Sequence, residues 1–352
     1  MHEQRQSLNE HLLSLSIDGE LYSHLKNNSV ECHACGHRCL IRDNRDGICK
    51  VRFNRGGKLL VPANYVAALQ VDPTEKKPFF HVVPGSLALT FGMLGCDYHC
   101  GYCQNWITSQ TLRDPAATGT AKRITAEDLS NLATIKRARL VVSSYNEPLI
   151  TSEWAVQVFR KAKTQGFLTG YVSNGNGTDE VLDFIRPHTD LYKIDLKSFS
   201  DKQYRKLGGV LKNVLDTVIG VHQRGFWLEI VTLIVPGFND TETEIRDIAE
   251  FIAQVSIDIP WHVTGFHQDY KMKASPNTTV NALTRAAEIG YESGLNFVYA
   301  GNLHAHESEY ENTFCPDCKN VLIRRFGFRI LDNQLVNGAC SACGKIIPGI
   351  WS

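Results

Sequence analysis

The sequence predicts an α/β protein: a full or partial β/α barrel with a small cysteine-rich module at each end. Three observations predict it. Six short, nearly all-apolar runs recur from residue 87 onward, helical patterns separate most of them, and eleven cysteines gather at three places. Apolar strands alternating with helices suit a parallel sheet covered on both faces. A doubly wound open sheet is the rival arrangement. With 352 residues, 43% of them hydrophobic, the chain can bury a large core. Its 37 basic and 37 acidic side chains cancel, which argues against a protein that coats nucleic acid or membrane over its whole surface.

In chain order, residues 7–26 read as a helix, with Leu8, Leu12, Leu15 and Leu21 roughly on one face. From Cys32 to Lys58 the pattern is a metal-type knot followed by a turn at Gly56-Gly57. A proline-containing segment then runs from Pro62 to Pro84-Gly85, closing a module of residues 1–85. Strands are expected at 87–94, 140–145, 168–173, 191–196, 226–235 and 261–266, with a further short one at 296–300. Helices are expected at 125–137, 152–165, 178–186, 211–224, 241–255 and 281–293. The barrel is thus assigned to 86–305 and a C-terminal module to 306–352. In either architecture, reactive groups belong at the C-terminal ends of the strands. No apolar run approaches the roughly 18–20 residues that span a bilayer. Met1 to Glu10 is polar, without the apolar stretch of a signal peptide. A soluble cytoplasmic protein is expected.

An odd number of cysteines cannot all form internal disulfides, and a reducing cytosol disfavours them. They fall into sets of four, three and four. Cys96, Cys100 and Cys103 follow the first barrel strand. Three thiolates suit a [4Fe–4S] cluster with one iron left for an outside ligand; a zinc ion completed by a distant residue is the alternative. Gly95 and Gly101 are expected to let the backbone approach the cluster, and His99 to face solvent or stand behind the ligands, with a ligand role as the alternative.

The spacing Cys96-x3-Cys100-x2-Cys103, with Tyr102 before the last cysteine, resembles the radical S-adenosylmethionine (radical SAM) superfamily. The resemblance implies a partial (β/α)6 barrel, TIM-like, in which SAM binds the open iron. It also implies reductive cleavage of SAM to a 5′-deoxyadenosyl radical. Tyr145-Asn146-Glu147-Pro148 resembles the superfamily's GGEP motif, which makes Glu147 the acceptor for the SAM amino group. Ser173-Asn174-Gly175 resembles the TNG segment of the activating-enzyme branch, although Val172 stands where some relatives have aspartate. Asp195 and Lys197, two apart on one strand, point to one face; in the branch the lysine meets the SAM carboxylate. A structural Asp–Lys pair is the alternative. Asp240 is expected to cap the helix starting near Thr241. His267 occupies the place of a site histidine in relatives, with packing as its other possible job.

Cys315, Cys318, Cys340 and Cys343 form two knuckles joined by a linker that can make a hairpin around Asn333 and Asn337-Gly338. Four thiolates so spaced make a closed structural zinc site, with iron as the alternative. Cys32, Cys35, Cys39 and Cys49 suit zinc or a second iron–sulfur cluster, with His33 and His37 as substitute ligands. Residues 32–58 carry seven Lys/Arg against Asp43 and Asp46, a basic excess that a solvated face explains, with an acidic partner as the alternative.

Over nearly its whole length the sequence resembles the radical SAM enzyme of the AmmeMemoRadiSam system. The segments that carry this are CHACGHRC, GICKVRFNRGG, VDPTEKKPFFHVVPGS, SYNEP, WHVTGFHQDYKM, CPDCKNVLIRRFGF and CGKIIPGIW. The resemblance implies relatedness to pyruvate formate-lyase-activating enzymes. It also implies a ferredoxin or flavodoxin as electron donor, and the system's companion proteins as candidate partners. A glycyl-radical-enzyme activase is one alternative; a metal-stabilised adaptor binding RNA or protein is the non-enzymatic one.

Overall fold

In a computed structural model, which describes residues 2–302 and 309–352, one eight-stranded sheet organises the chain. The expected boundary at 305/306 lies outside the described residues. The strands are β1 (Ala68–Pro73), β2 (Leu87–Gly92), β3 (Leu140–Ser143), β4 (Leu168–Ser173), β5 (Leu191–Asp195), β6 (Trp227–Ile234), β7 (Trp261–Gly265) and β8 (Val298–Gly301). They lie side by side in chain order; β2 to β8 are parallel, and β1 pairs antiparallel with β2. Among the described residues no pairing joins β1 to β8, so the sheet is open. The run expected at 296–300 supplies a seventh parallel strand, and a segment of the proline-rich stretch supplies the antiparallel edge.

Helices α1 (Ala126–Ile135), α2 (Ser152–Thr164), α3 (Asp179–Ile185), α4 (Asp201–Leu207), α5 (Leu211–Gln223), α6 (Glu242–Val255) and α7 (Val280–Glu292) fill the crossovers. Thr125, Thr178, Thr241 and Thr279 start four of them, each hydroxyl accepting a hydrogen bond from a backbone N–H of the first turn. The cap of α6 is therefore Thr241; Asp240 instead accepts from the Gly237 N–H and closes the preceding turn. Helix α4 was not anticipated, its sequence DKQYRKL having too few apolar residues to show a stripe.

The N-terminal region differs from expectation. The helix covers His2–Ser14, after which Ser16–Asp18 pairs with residues 60–62 and Tyr22–His24 pairs with Val30–Cys32. Gly19 permits the close approach of the two segments, since a Cβ there would lie 2.8 Å from Val61 Cγ1. Leu12, Leu15 and Leu21 are buried all the same, by strand pairing as much as by the helix.

At the other end, Val321–Phe326 and Arg329–Asn333 form a hairpin that turns at Gly327-Phe328 rather than at Asn333. A second, short hairpin turns at Asn337-Gly338. This module packs Leu322, Ile323 and Ile347 against Phe80, Phe297 and Tyr299, near the N-terminal ends of the strands. Beneath it Glu229 is fully buried, accepting from the N–H groups of Phe80 and His81 (both 3.0 Å), from Trp227 Nε1 and from His262 Nε2. Among the described residues no helix is long and apolar enough to cross a membrane.

Candidate active site

The loop leaving β2 carries Cys96, Cys100 and Cys103 at the C-terminal end of the sheet. Its conformation is held locally. The Tyr98 N–H points at Cys96 Sγ (3.4 Å), and Cys103 Sγ lies 3.3 Å from Ser109 Oγ in the short helix Trp106–Ser109. Gly95 has φ +92°, and a Cβ there would come within 2.9 Å of the Cys49 carbonyl oxygen. It permits close approach of the N-terminal module. Gly101 has ordinary clearance, 3.8 Å from the Met272 side chain, so the tight approach expected there is absent. Tyr102 is buried edge-on against Phe238 (5.5 Å), and His99 is exposed against Gly208.

Glu147 follows β3 and is 1% exposed. It accepts from Ser173 Oγ (2.7 Å), the Asn174 N–H (2.7 Å) and the Leu149 N–H (3.1 Å). Burial pushes its carboxyl upward and the Asp97 charge adds to this, outweighing the three donors. Asp97 is itself fully buried beside Cys96 and accepts from Asn174 Nδ2 (2.7 Å) and Asn176 Nδ2 (2.8 Å). Two carboxylates therefore share one polar pocket, with His37 Nε2 standing 3.9 Å from Asp97.

At the end of β5, Lys197 meets Asp195 at 3.3 Å, and Lys193 closes on the other oxygen of the same carboxylate. Burial opposes all three charges. The two ammonium groups nevertheless hold the Asp195 carboxyl down at about 2, and Asp195 and Cys100 hold Lys197 well above its ordinary value. Asn239 fixes the segment, its Nδ2 donating to the carbonyls of Lys197 and Leu233 (both 2.8 Å). His267 is exposed, with Gln104 Nε2 3.1 Å from its Nε2, so it is not a core packing residue.

Sequence reasoning missed Asp97, Asn176, Lys193 and His37's contact with the central loop. Period-2 counting back from Asp195 would have found Lys193 on the same face. Asp97 had a weaker signal, a carboxylate inside an otherwise uncharged turn.

The donor chemistry fits an iron–sulfur cluster: three cysteine sulfurs on one loop, with the Lys197 ammonium close enough to feel Cys100. Burial raises the thiols of Cys96, Cys100 and Cys103, so binding a metal there releases protons. The C-terminal four differ in geometry. Cys315 and Cys343, and Cys318 and Cys340, stand 3.6 Å apart, and all four sulfurs lie within 4.8 Å of one another, a closed single-ion site.

A family model of the radical SAM superfamily matches residues 91–252, from the end of β2 through most of α6. The chain belongs to the radical SAM superfamily. It is 32% identical over 330 residues to the uncharacterized protein MJ0808 of Methanocaldococcus jannaschii, covering 93% of this chain and 97% of that one. It is 28% identical over 200 residues to pyruvate formate-lyase 1-activating enzyme of Escherichia coli, covering 53% of this chain and 78% of that enzyme. The Clostridium pasteurianum pyruvate formate-lyase-activating enzyme is 27% identical over 210 residues, covering 54% and 84%. Among solved structures, a domain of pyruvate-formate lyase-activating enzyme from Bacteroides vulgatus aligns with a TM-score of 0.40 at 18% identity, covering 46% of this chain and 98% of that domain. This radical SAM protein is thus an enzyme of radical chemistry, which sets aside the adaptor reading.

Proposed function

We propose that the chain cleaves SAM at a [4Fe–4S] cluster held by Cys96, Cys100 and Cys103 and takes a hydrogen atom from a substrate. One observation carries this reading: four successive strand ends converge, bringing together the three cysteines, Glu147, Ser173-Asn174 and Lys197. The chemistry supplied there is one-electron cleavage of SAM to methionine and a 5′-deoxyadenosyl radical; the protein binds, orients and excludes water.

Lys197 is the ammonium for the SAM carboxylate, its direction set by Asp195 and its backbone by Asn239. Asp97 supplies negative charge toward a cationic ligand, and such a ligand would draw the raised Glu147 carboxyl toward its ionised form. Both Glu147 oxygens already accept hydrogen bonds, so it orients the Ser173-Asn174 turn as well as attracting the SAM ammonium. Tyr102 backs the cysteine loop, and His267 with Gln104 lies where substrate enters. The C-terminal four hold a zinc ion that stabilises the module. No two of the eleven cysteines are joined in a disulfide, which suits the cytoplasm.

The named activating enzymes among the relatives favour a protein substrate, and the companion proteins of the AmmeMemoRadiSam system are the first candidates. A ferredoxin or flavodoxin supplies the electron. The test is anaerobic reconstitution, reduction with dithionite and assay of 5′-deoxyadenosine, repeated with each companion protein. Coupling to a partner predicts faster turnover and loss of hydrogen from that partner; a glycyl-radical EPR signal on it marks an activase.

A further inference from the structure

Tyr145 holds a backbone conformation that its side chain does not favour. Its φ is +67°, in the left-handed region that suits glycine and is uncommon for a bulky aromatic residue. Such conformations persist only where the surroundings impose them, and they gather at functional sites. Two residues impose it here. Lys77 Nζ donates to Tyr145 Oη (2.9 Å) and to Asp72 Oδ2 (2.8 Å), and the same ammonium lies 4.9 Å from the centre of the tyrosine ring. Tyr145 Oη donates in turn to Asp72 Oδ2 (3.4 Å). Lys77 is buried, and neither it nor Asp72 has a place in the site described above. Both belong to the antiparallel edge of the sheet, Asp72 on β1 and Lys77 just beyond it.

This backbone fastens the centre of the site. The Tyr145 carbonyl accepts from Thr108 Oγ1 (2.8 Å), in the short helix whose Ser109 touches Cys103. Asn146 Oδ1 accepts from the Met93 N–H (3.0 Å), shortly before Cys96 in the chain. Glu147 comes next, joined to Ser173 and Asn174. Residues 145–147 thus grip the cysteine loop on both flanks, and a rotated Tyr145 backbone would break the alignment. Gly92 makes the crossing possible, since a Cβ there would lie 2.4 Å from the Ser144 carbonyl oxygen and 2.7 Å from Tyr145 Cβ. The same short helix is also braced by a second bulky residue of positive φ: Tyr270 (+46°) stacks on Trp106 with ring centroids 5.1 Å apart.

We infer that Tyr145 is a positioning residue for SAM: its ring, clamped by Lys77 and Asp72, holds its own backbone left-handed, and that backbone sets Glu147 against the cysteine loop. This rests on the radical reading of that loop. The test uses full-length protein reconstituted anaerobically, with SAM titrated against the EPR signal of the reduced cluster. Tyr145→Ala removes the clamp but keeps a Cβ that resists positive φ. Its SAM affinity should fall about tenfold, while its iron content and SAM-free signal stay those of wild type. Tyr145→Gly loses the same contacts but adopts positive φ freely, so it should recover most of that loss. Lys77→Met leaves the ring in place but unclamped, with Asp72 still paired to Lys76 (2.9 Å). It should weaken SAM binding by about three- to tenfold, and it carries the test should Tyr145→Ala not fold. Wild-type affinity in Tyr145→Ala or in Lys77→Met overturns the proposal. So does Tyr145→Gly binding as weakly as Tyr145→Ala, which would make the ring itself the SAM contact. Wild type that holds its cluster but binds no SAM would instead count against the reading of the central site.

Discussion

Asp97 and Glu147 are tied to one residue, Asn174, which gives its backbone N–H to Glu147 and its side-chain amide to Asp97, both at 2.7 Å. The arrangement holds two buried carboxylates beside Cys96 without a lysine or arginine hydrogen-bonded to either among the described contacts. It makes the pocket dependent on amide donors for its shape.

Asp97→Ala removes the acceptor for two buried amide groups, those of Asn174 and Asn176. Each unsatisfied donor costs about 1–3 kcal/mol, so the variant should lose about 2–6 kcal/mol in urea unfolding. A loss below about 0.5 kcal/mol would show that Asp97 is not integral to the pocket.

Arg52 and Glu153 join the N-terminal module to α2 through a pair that is almost wholly buried. Arg52→Met leaves the Glu153 charge alone and should destabilise by about 3–5 kcal/mol. The double variant Arg52→Met/Glu153→Leu should recover much of that loss, because both charges are then gone. Equal destabilisation in single and double variants would contradict the coupling.

Lys197→Met removes the ammonium assigned to the SAM carboxylate. A charged hydrogen bond of about 1.5–3 kcal/mol corresponds to a roughly 10- to 150-fold weaker SAM affinity, measurable by equilibrium binding to the reconstituted protein. Unchanged affinity would leave Lys197 as a purely structural partner of Asp195.

Stability should depend on pH through His81. It is fully buried and neutral, Nδ1–H donating to the Pro348 carbonyl (2.7 Å) and Nε2 accepting from Tyr299 Oη (2.6 Å). Burial is the main cause that depresses its pKa to about 4. The unfolded chain, with an ordinary histidine near 6.5, binds the proton first as pH falls. The contribution is therefore fully present above about pH 6.5 and is lost progressively toward pH 4, on the order of 3 kcal/mol in total. Denaturant unfolding at several pH values should show this slope, and His81→Phe should flatten it. An unchanged slope in the variant would assign the effect to other groups, His262 among them.

The parallel sheet was legible because β3 to β7 are nearly all apolar and the threonine caps mark helix starts to within a residue or two. The grouping of Cys315, Cys318, Cys340 and Cys343 was legible in their short spacings, whereas Glu147, Asn174 and Lys197 rest on short motifs at strand ends. What escaped was tertiary. Residues 16–24 continue a leucine pattern, but the pairing with residues 60–62, which Gly19 permits, turns them into strands. The edge strand β1 lies among prolines that masked it. Asp97 was invisible because its partners, Asn174 and Asn176, arrive from a strand 77 and 79 positions away.

The most direct test of the central claim compares two single variants after anaerobic reconstitution, each first shown by circular dichroism to be folded. With dithionite as reductant, wild type and Cys318→Ala should both form 5′-deoxyadenosine from SAM, while Cys103→Ala should form none. Absence of 5′-deoxyadenosine from fully reconstituted wild type with every reductant tried, or its undiminished formation by Cys103→Ala, would contradict the account.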